Sequence, residues 1–227
     1  MIAMSAIARR QLIAGIALLA PSLALAQTPG MGGGAGPAPW RKIPSVTVLW
    51  IADDARVQLV RDAVEYWNGV FAEIGTPFRL GKVSLAAGTI PIEQLRELSD
   101  RAVTYTGRPD FPTNLSQVPG DLIVALSEGD FISFGFTWAQ QQKALVGIKN
   151  DRLLPLKLPN VARNVTAHEL GHAIGLRHNS DPTMLMCGRP APCRPDAFTN
   201  GTARFFPLTD GEKATLRAMY PADWPPW

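Results

Sequence analysis

From Ser45 onward the chain changes its hydrophobic period repeatedly, and the changes mark out elements. "SVTVLWIA" (45–52) is a continuous apolar, β-branched run and predicts a buried strand. Behind it, Val57, Val60, Ala63, Val64, Trp67, Val70 and Phe71 recur at three and four residues, which predicts a helix capped by Asp53 or Asp54 and ending near Gly75. "FRLGKVSL" predicts a second strand, "IEQLRELSDRA" a short helix and "GDLIVALS" a third strand. "FISFGFTWA" and "ALVGIK" are strand-like runs joined by the polar "QQQK", the pattern of an antiparallel hairpin.

A further helix is predicted over "LPNVARNVTAHELGHAIG", beginning after Pro159 with Asn160 as a candidate cap and Val161, Val165, Leu170 and Ile174 on its apolar side. The last helix lies in "LTDGEKATLRAMYP", where Thr209 and Glu212 form a capping-box pattern and Pro221 is a stop. About thirty residues of turn-forming sequence separate these two helices. Strands alternating with helices and closing on a hairpin imply an α+β fold: a mixed, twisted sheet of about five strands with helices packed on it.

The N-terminal pattern is of another kind. Arg9 and Arg10 precede an apolar run, Leu12 to Ala20, and Ala24-Leu25-Ala26 supplies small residues, so residues 1–26 read as a secretory signal peptide cut after Ala26. A membrane anchor is the competing reading, but the run ends at Pro21, short of the roughly 20 residues that span a bilayer. No stable membrane insertion is therefore expected after cleavage. The pair Arg9-Arg10 also resembles a twin-arginine export signal, so the export route stays open. Residues 27–44, which open with "QTPGMGGGAGPAP", read as a flexible Gly/Pro-rich arm. The expected division is 1–26, 27–44 and a domain over 45–227, secreted or periplasmic.

Charge narrows the partners. The 227 residues carry 22 basic and 19 acidic side chains, and two of the basic ones are Arg9 and Arg10. The exported part is thus close to neutral and holds no basic stripe, which gives no support to nucleic-acid binding. Cys187 and Cys193 are the only cysteines; in an oxidising compartment they are expected to form a local disulfide, the alternative being a pair of metal-binding thiolates without partners.

The chain has three histidines, and all of them fall in "HELGHAIGLRHN", 168–179. His168 and His172 are four apart, so on a helix they project from one face and can reach one ion at about 2.0–2.1 Å. Gly175 can take positive φ, end the helix and turn the chain back so that His178 completes three ligands. Three protein ligands leave a fourth position for water, the arrangement of a catalytic zinc. Glu169 would flank that water as general base. Packing or capping histidines are the plainer reading, which the extension to H-E-x-x-H-x-x-G-x-x-H makes less economical.

"HELGHAIGLRH" resembles the zinc-binding consensus of the metzincin metallopeptidases. Met186, eight residues after His178 and preceded by Leu185, is similar in placement to the Met-turn of the matrixin branch. The likeness is strongest over Val165–Met186 and extends loosely over Ser45–Tyr220. It implies a metzincin-like catalytic domain with an active-site helix and a C-terminal helix. It also implies one catalytic Zn²⁺ on His168, His172 and His178, with Met186 packed beneath the site.

The activity implied is peptide-bond hydrolysis by a zinc-activated water with Glu169 as base, on protein or peptide substrates. An extended substrate would pair with the edge of the run Phe131–Ala139, and residues 187–207 would wall the pocket for the residue after the scissile bond. The sequence departs from the branch in having no cysteine before Cys187 for propeptide latency, no histidines for a second zinc, Gly188 where some metzincins have a tyrosine ligand, and Asn179 after the third histidine. No inhibitor partner is legible. Two other classes stay open: a secreted or envelope binding protein that keeps a zinc site without turnover, which the intact Glu169 opposes, and a zinc hydrolase of non-protein substrates.

Overall fold

The computed structural model describes residues 40–50, 53–104, 107, 109–152, 154–188, 193 and 200–225. The signal-peptide reading of 1–26 and most of the 27–44 arm lie outside these residues. Five strands form one sheet: β1 (Val46–Trp50), β2 (Val83–Ala87), β3 (Leu122–Leu126), β4 (Phe134–Trp138) and β5 (Lys143–Ile148). Four helices accompany them: α1 (Arg56–Glu73), α2 (Ile92–Thr104), α3 (Pro159–Ala173) and α4 (Asp210–Met219). The fold is α+β, as the pattern implied.

The strand order is β2-β1-β3-β5-β4, parallel throughout except for the β4–β5 pair. This mixture comes from the connections. Helices or long loops join β1, β2, β3 and the hairpin, while residues 139–142 turn β4 directly into β5, and a short turn can join only antiparallel strands. Gln142 takes positive φ (48°) in that turn.

The apolar runs of β1, β3 and β5 are continuous because both faces of the sheet are covered. Val46, Val48, Leu122, Val124, Leu126, Ala144, Val146 and Ile148 belong to a core shared with α1 and α3. Leu49, Ile123, Ala125 and Leu145 face the other way, into a second core with Leu95 and Leu98 of α2 and Phe134 and Trp138 of β4. Successive residues pointing to opposite faces is the two-residue period of a strand.

Several expectations need correction, the second strand among them: expected over 78–85, it runs Val83–Ala87. The helix α1 starts one residue past the predicted caps: Ala55 is the N-cap and makes no side-chain cap bond. The Asp54 carboxylate is taken up by Arg56 instead, accepting from its backbone N–H (2.9 Å), from Nε and from Nη2. Arg56 is buried, and its Nη1 donates to the carbonyls of Ser127 and Lys149, so the pair ties the start of α1 to the ends of β3 and β5.

Asn160 is not a cap either. Leu158 is the N-cap of α3 and Pro159 its first helical residue, a position where the missing N–H costs nothing. Finally, Trp40 does not belong to a loose arm. It is buried in the main core, where its indole N–H donates to the carbonyl of Ala173 (2.9 Å) and its own carbonyl accepts from the indole of Trp224 (3.2 Å).

Candidate metal centre

The helix α3 is packed against the sheet at β4 and β5 and against α1, and eleven of its fifteen residues are buried, Asn160, Asn164, Thr166, His168 and Glu169 among them. A helix enclosed to this degree needs its polar side chains satisfied. Asn160, Asn164, His168 and His172 succeed one another at four-residue spacing and form a polar stripe along it.

The first half of the stripe holds the segment that returns to α4. Asn160 donates to the carbonyls of Asn200 (2.6 Å) and Thr202 (2.7 Å) and accepts from the N–H of Arg204. Asn164 donates to the carbonyl of Arg204 (3.0 Å) and accepts from the N–H of Phe206 (2.8 Å). Side-chain amides thus replace the neighbouring strand that residues 200–206 lack.

The second half of the stripe carries the histidines. The helix ends in a Schellman turn: Leu176 N–H donates to the carbonyl of Gly171, Gly175 N–H donates to that of His172, and Gly175 has φ of 109°. The turned chain presents the carbonyl of Leu176 to Nδ1 of His172 at 2.9 Å, while Nδ1 of His168 meets the carbonyl of Leu185 at 2.8 Å. A carbonyl oxygen only accepts, so in both rings Nδ1 carries the proton and Nε2 presents a lone pair.

Those lone pairs converge. The Nε2 atoms of His168, His172 and His178 form a triangle with edges of 3.1, 3.0 and 3.1 Å. Two acceptor nitrogens cannot hydrogen-bond to each other, so the approach of His168 to His172 calls for a cation between them. In a tetrahedral zinc site with ligands at about 2.0–2.1 Å, two nitrogens stand roughly 3.3 Å apart, close to the spacing found. The donor set therefore fits a zinc ion. Among the described residues this is the group in which three histidine, cysteine or acidic side chains could share one metal.

Burial holds the pKa of His172 down at about 4, with the neighbouring His178 lowering it further and the Leu176 carbonyl opposing them. A neutral imidazole is the form that ligates metal. Exposure rises along the triad, from buried His168 to exposed His178. The cluster is thus open to solvent on one side.

Glu169 comes directly after His168 on the helix and is 7% exposed. Facing this part of α3 is β4, brought close because residue 135 is a glycine: a Cβ there would collide with the carbonyl of Glu169 and stand 3.0 Å from Cβ of His172. Met186 is fully buried against α3 at Gly171, where a Cβ would lie 2.5 Å from its sulfur, and Trp67 of α1 closes the same space. Cys187 and Cys193 are joined by a disulfide. Two surface hollows, about 410 Å³ beside Arg96, Ser99 and Lys149 and about 310 Å³ beside Phe111 and Trp138, include none of the histidines.

The structure brings together the three histidines, and it sets Met186 beneath α3 and Gly175 at its end. Asn160, Asn164, Gly171 and Glu212 carry no metal-site signal in the sequence apart from the four-residue spacing that sets Asn160 and Asn164 ahead of His168. Asn179 and Gly188 stand out there only as departures from the family resemblance.

No protein-family model matches the sequence, and no curated protein does. Among solved structures, the chain is similar to an archaemetzincin from Methanopyrus kandleri, at 17% identity and a TM-score of 0.45, over 77% of this chain and 93% of that one. It is also similar to myroilysin, at 11% identity and a TM-score of 0.41, over 83% of this chain and 87% of that one. Both likenesses are distant, and the functional reading rests on the chain's own residues.

Proposed function

We propose that this chain is an exported zinc-dependent endopeptidase of the metzincin type, nearest in its motif to the matrixin branch. The observation that carries the reading is the triangle of Nε2 lone pairs, two of them fixed by Nδ1 protons committed to the carbonyls of Leu185 and Leu176. His168, His172 and His178 would hold a single zinc. When bound, the ion supplies a Lewis acid that acidifies water and polarises a carbonyl.

The remaining work falls to the chain's own groups. The Glu169 carboxylate takes a proton from the attacking water and returns it to the leaving amine nitrogen, a transfer that needs a carboxylate adjacent to the first ligand. Substrate lies extended along the outer edge of β4, whose backbone has no strand partner on that side among the described residues. Gly135 supports this, because it lets the edge strand sit against α3 at Glu169 and His172. Main-chain pairing of this kind recognises peptides and suits few other substrates.

The pocket for the residue after the scissile bond would be walled by the segment 187–207, part of which lies outside the described residues; the Cys187–Cys193 disulfide and the Asn160 and Asn164 bonds to 200–206 would stiffen it. Residues 1–26 serve as the signal peptide, and no described helix is long and apolar enough to cross a membrane.

The test is cleavage of casein or a peptide library by the purified protein, with fragments identified by mass spectrometry. Cleavage that a zinc chelator stops, zinc restores and Glu169→Gln lacks is the expected result. Full activity in Glu169→Gln, or cleavage indifferent to chelation, would overturn the reading.

A further inference from the structure

Two of the three imidazoles are fixed twice, by a helix and by a carbonyl. His178 is carried on the loop after the Schellman turn and is exposed, so the bonds that order this loop also bear on where its ring stands. The neighbour on its C-terminal side is Asn179, whose polar atoms are heavily committed. Its N–H donates to the carbonyl of Met186 (2.9 Å), its carbonyl accepts from the N–H of Gly188 (2.9 Å), and its Oδ1 accepts from the N–H of Asp181 (2.8 Å).

One further bond leaves the loop. Nδ2 of Asn179 donates to Oε1 of Glu212, in the first turn of α4, at 2.7 Å. The other oxygen of that carboxylate, Oε2, accepts from the N–H of Thr209, also at 2.7 Å, and completes the capping box. Glu212 is 8% exposed. Capping requires only the bond to Thr209. The second oxygen is spent on the residue beside His178, which does nothing to start a helix.

We infer that Glu212, acting through Asn179, positions His178 for the metal, so that the first turn of α4 is part of the metal site. The inference rests on the reading of the three histidines as zinc ligands. Glu212 is a positioning residue and touches neither metal nor substrate.

The donor and acceptor inventory defines a test. A carboxylate offers two accepting oxygens, whereas a glutamine amide offers one oxygen and one NH₂. Glu212→Gln therefore has to surrender either Thr209 or Asn179. Asn179→Asp sets two carboxylates against each other. Combined, the substitutions restore every bond with donor and acceptor exchanged: the Gln amide donates to the Asp and accepts from Thr209.

The zinc dissociation constant would be measured by competition with a chromophoric chelator, and the thermal midpoint of each metal-free protein in excess chelator. Each single variant is expected to bind zinc about tenfold more weakly, and the double variant to return within about threefold of wild type. Thr209→Ala removes the other half of the capping box without touching Asn179. It should lower the midpoint and leave the zinc constant unchanged. Single variants that hold zinc as tightly as wild type, or a double variant no tighter than the singles, would overturn this inference and leave the metal reading standing. A wild-type protein that binds no zinc would overturn both.

Discussion

Gly188 lies against the ring of His178: a Cβ at residue 188 would stand 2.5 Å from both Cβ and Nδ1 of the imidazole. The backbone of 188 is in turn held by its N–H to the carbonyl of Asn179, so neither partner can withdraw freely. Gly188→Ala should push His178 off the triangle. Zinc retained after dialysis, measured by metal analysis, is expected to fall well below one per chain while the fold persists by circular dichroism.

Metal removal should destabilise the wild type. A ligand that binds only the folded state stabilises it by about 4 kcal/mol at a concentration 1,000 times its dissociation constant. Chelation is expected to lower the thermal midpoint in calorimetry. His172→Ala, which lacks one of the three nitrogens, should show no difference between zinc and chelator.

Acid should loosen the start of α1. Burial opposes ionisation of Asp54, but the hydrogen bonds and charge of Arg56, with a contribution from Arg152, outweigh it and hold the carboxyl below its ordinary value of 3.8. A depressed carboxyl pKa makes the unfolded state the stronger proton binder, so the stabilisation is present above about pH 4 and is lost as pH falls through the folded value. Urea unfolding between pH 7 and pH 3 should show this loss in the wild type and a flatter profile in Asp54→Asn.

Asn164→Leu would leave the carbonyl of Arg204 and the N–H of Phe206 without their side-chain partner. The buried N–H of Phe206, left unsatisfied, costs about 1–3 kcal/mol. Besides lower stability in denaturant, the variant should show faster proteolytic nicking within 200–206 than wild type.

Trp40→Ala should cost about 3–5 kcal/mol, the range for deleting a large buried aromatic. The indole fills the main core, and its N–H closes the end of α3 at Ala173. Equilibrium denaturation measures the loss.

Much of this was legible in the sequence because it depends on short-range rules. The Schellman turn needs a residue free to take positive φ, and Gly175 is one. The capping box of α4 needs Thr209 and Glu212 three apart, and the same local logic places His168 and His172 on one face of α3. The apolar runs of β1, β3 and β5 announce strands covered on both sides before any partner is known.

Other features could not be read along the chain, because they depend on which distant segments meet. Trp40 comes after a Gly/Pro-rich stretch, yet a pocket formed by Ala173, Tyr220 and Trp224 buries it. The amide of Asn160 looked like a cap, but residues 200–204 offer it two carbonyls and an N–H, and three bonds outweigh one. Glu212 fits a capping box by spacing alone. Its second oxygen finds Asn179, 33 residues earlier, only once α4 has docked. The elements, and three histidines spaced so that they could share one metal, were legible along the chain, since backbone geometry and donor type are local properties. The bond between Asn179 and Glu212 depends on the docking of α4, since buried polar groups must be satisfied by whatever the fold brings beside them.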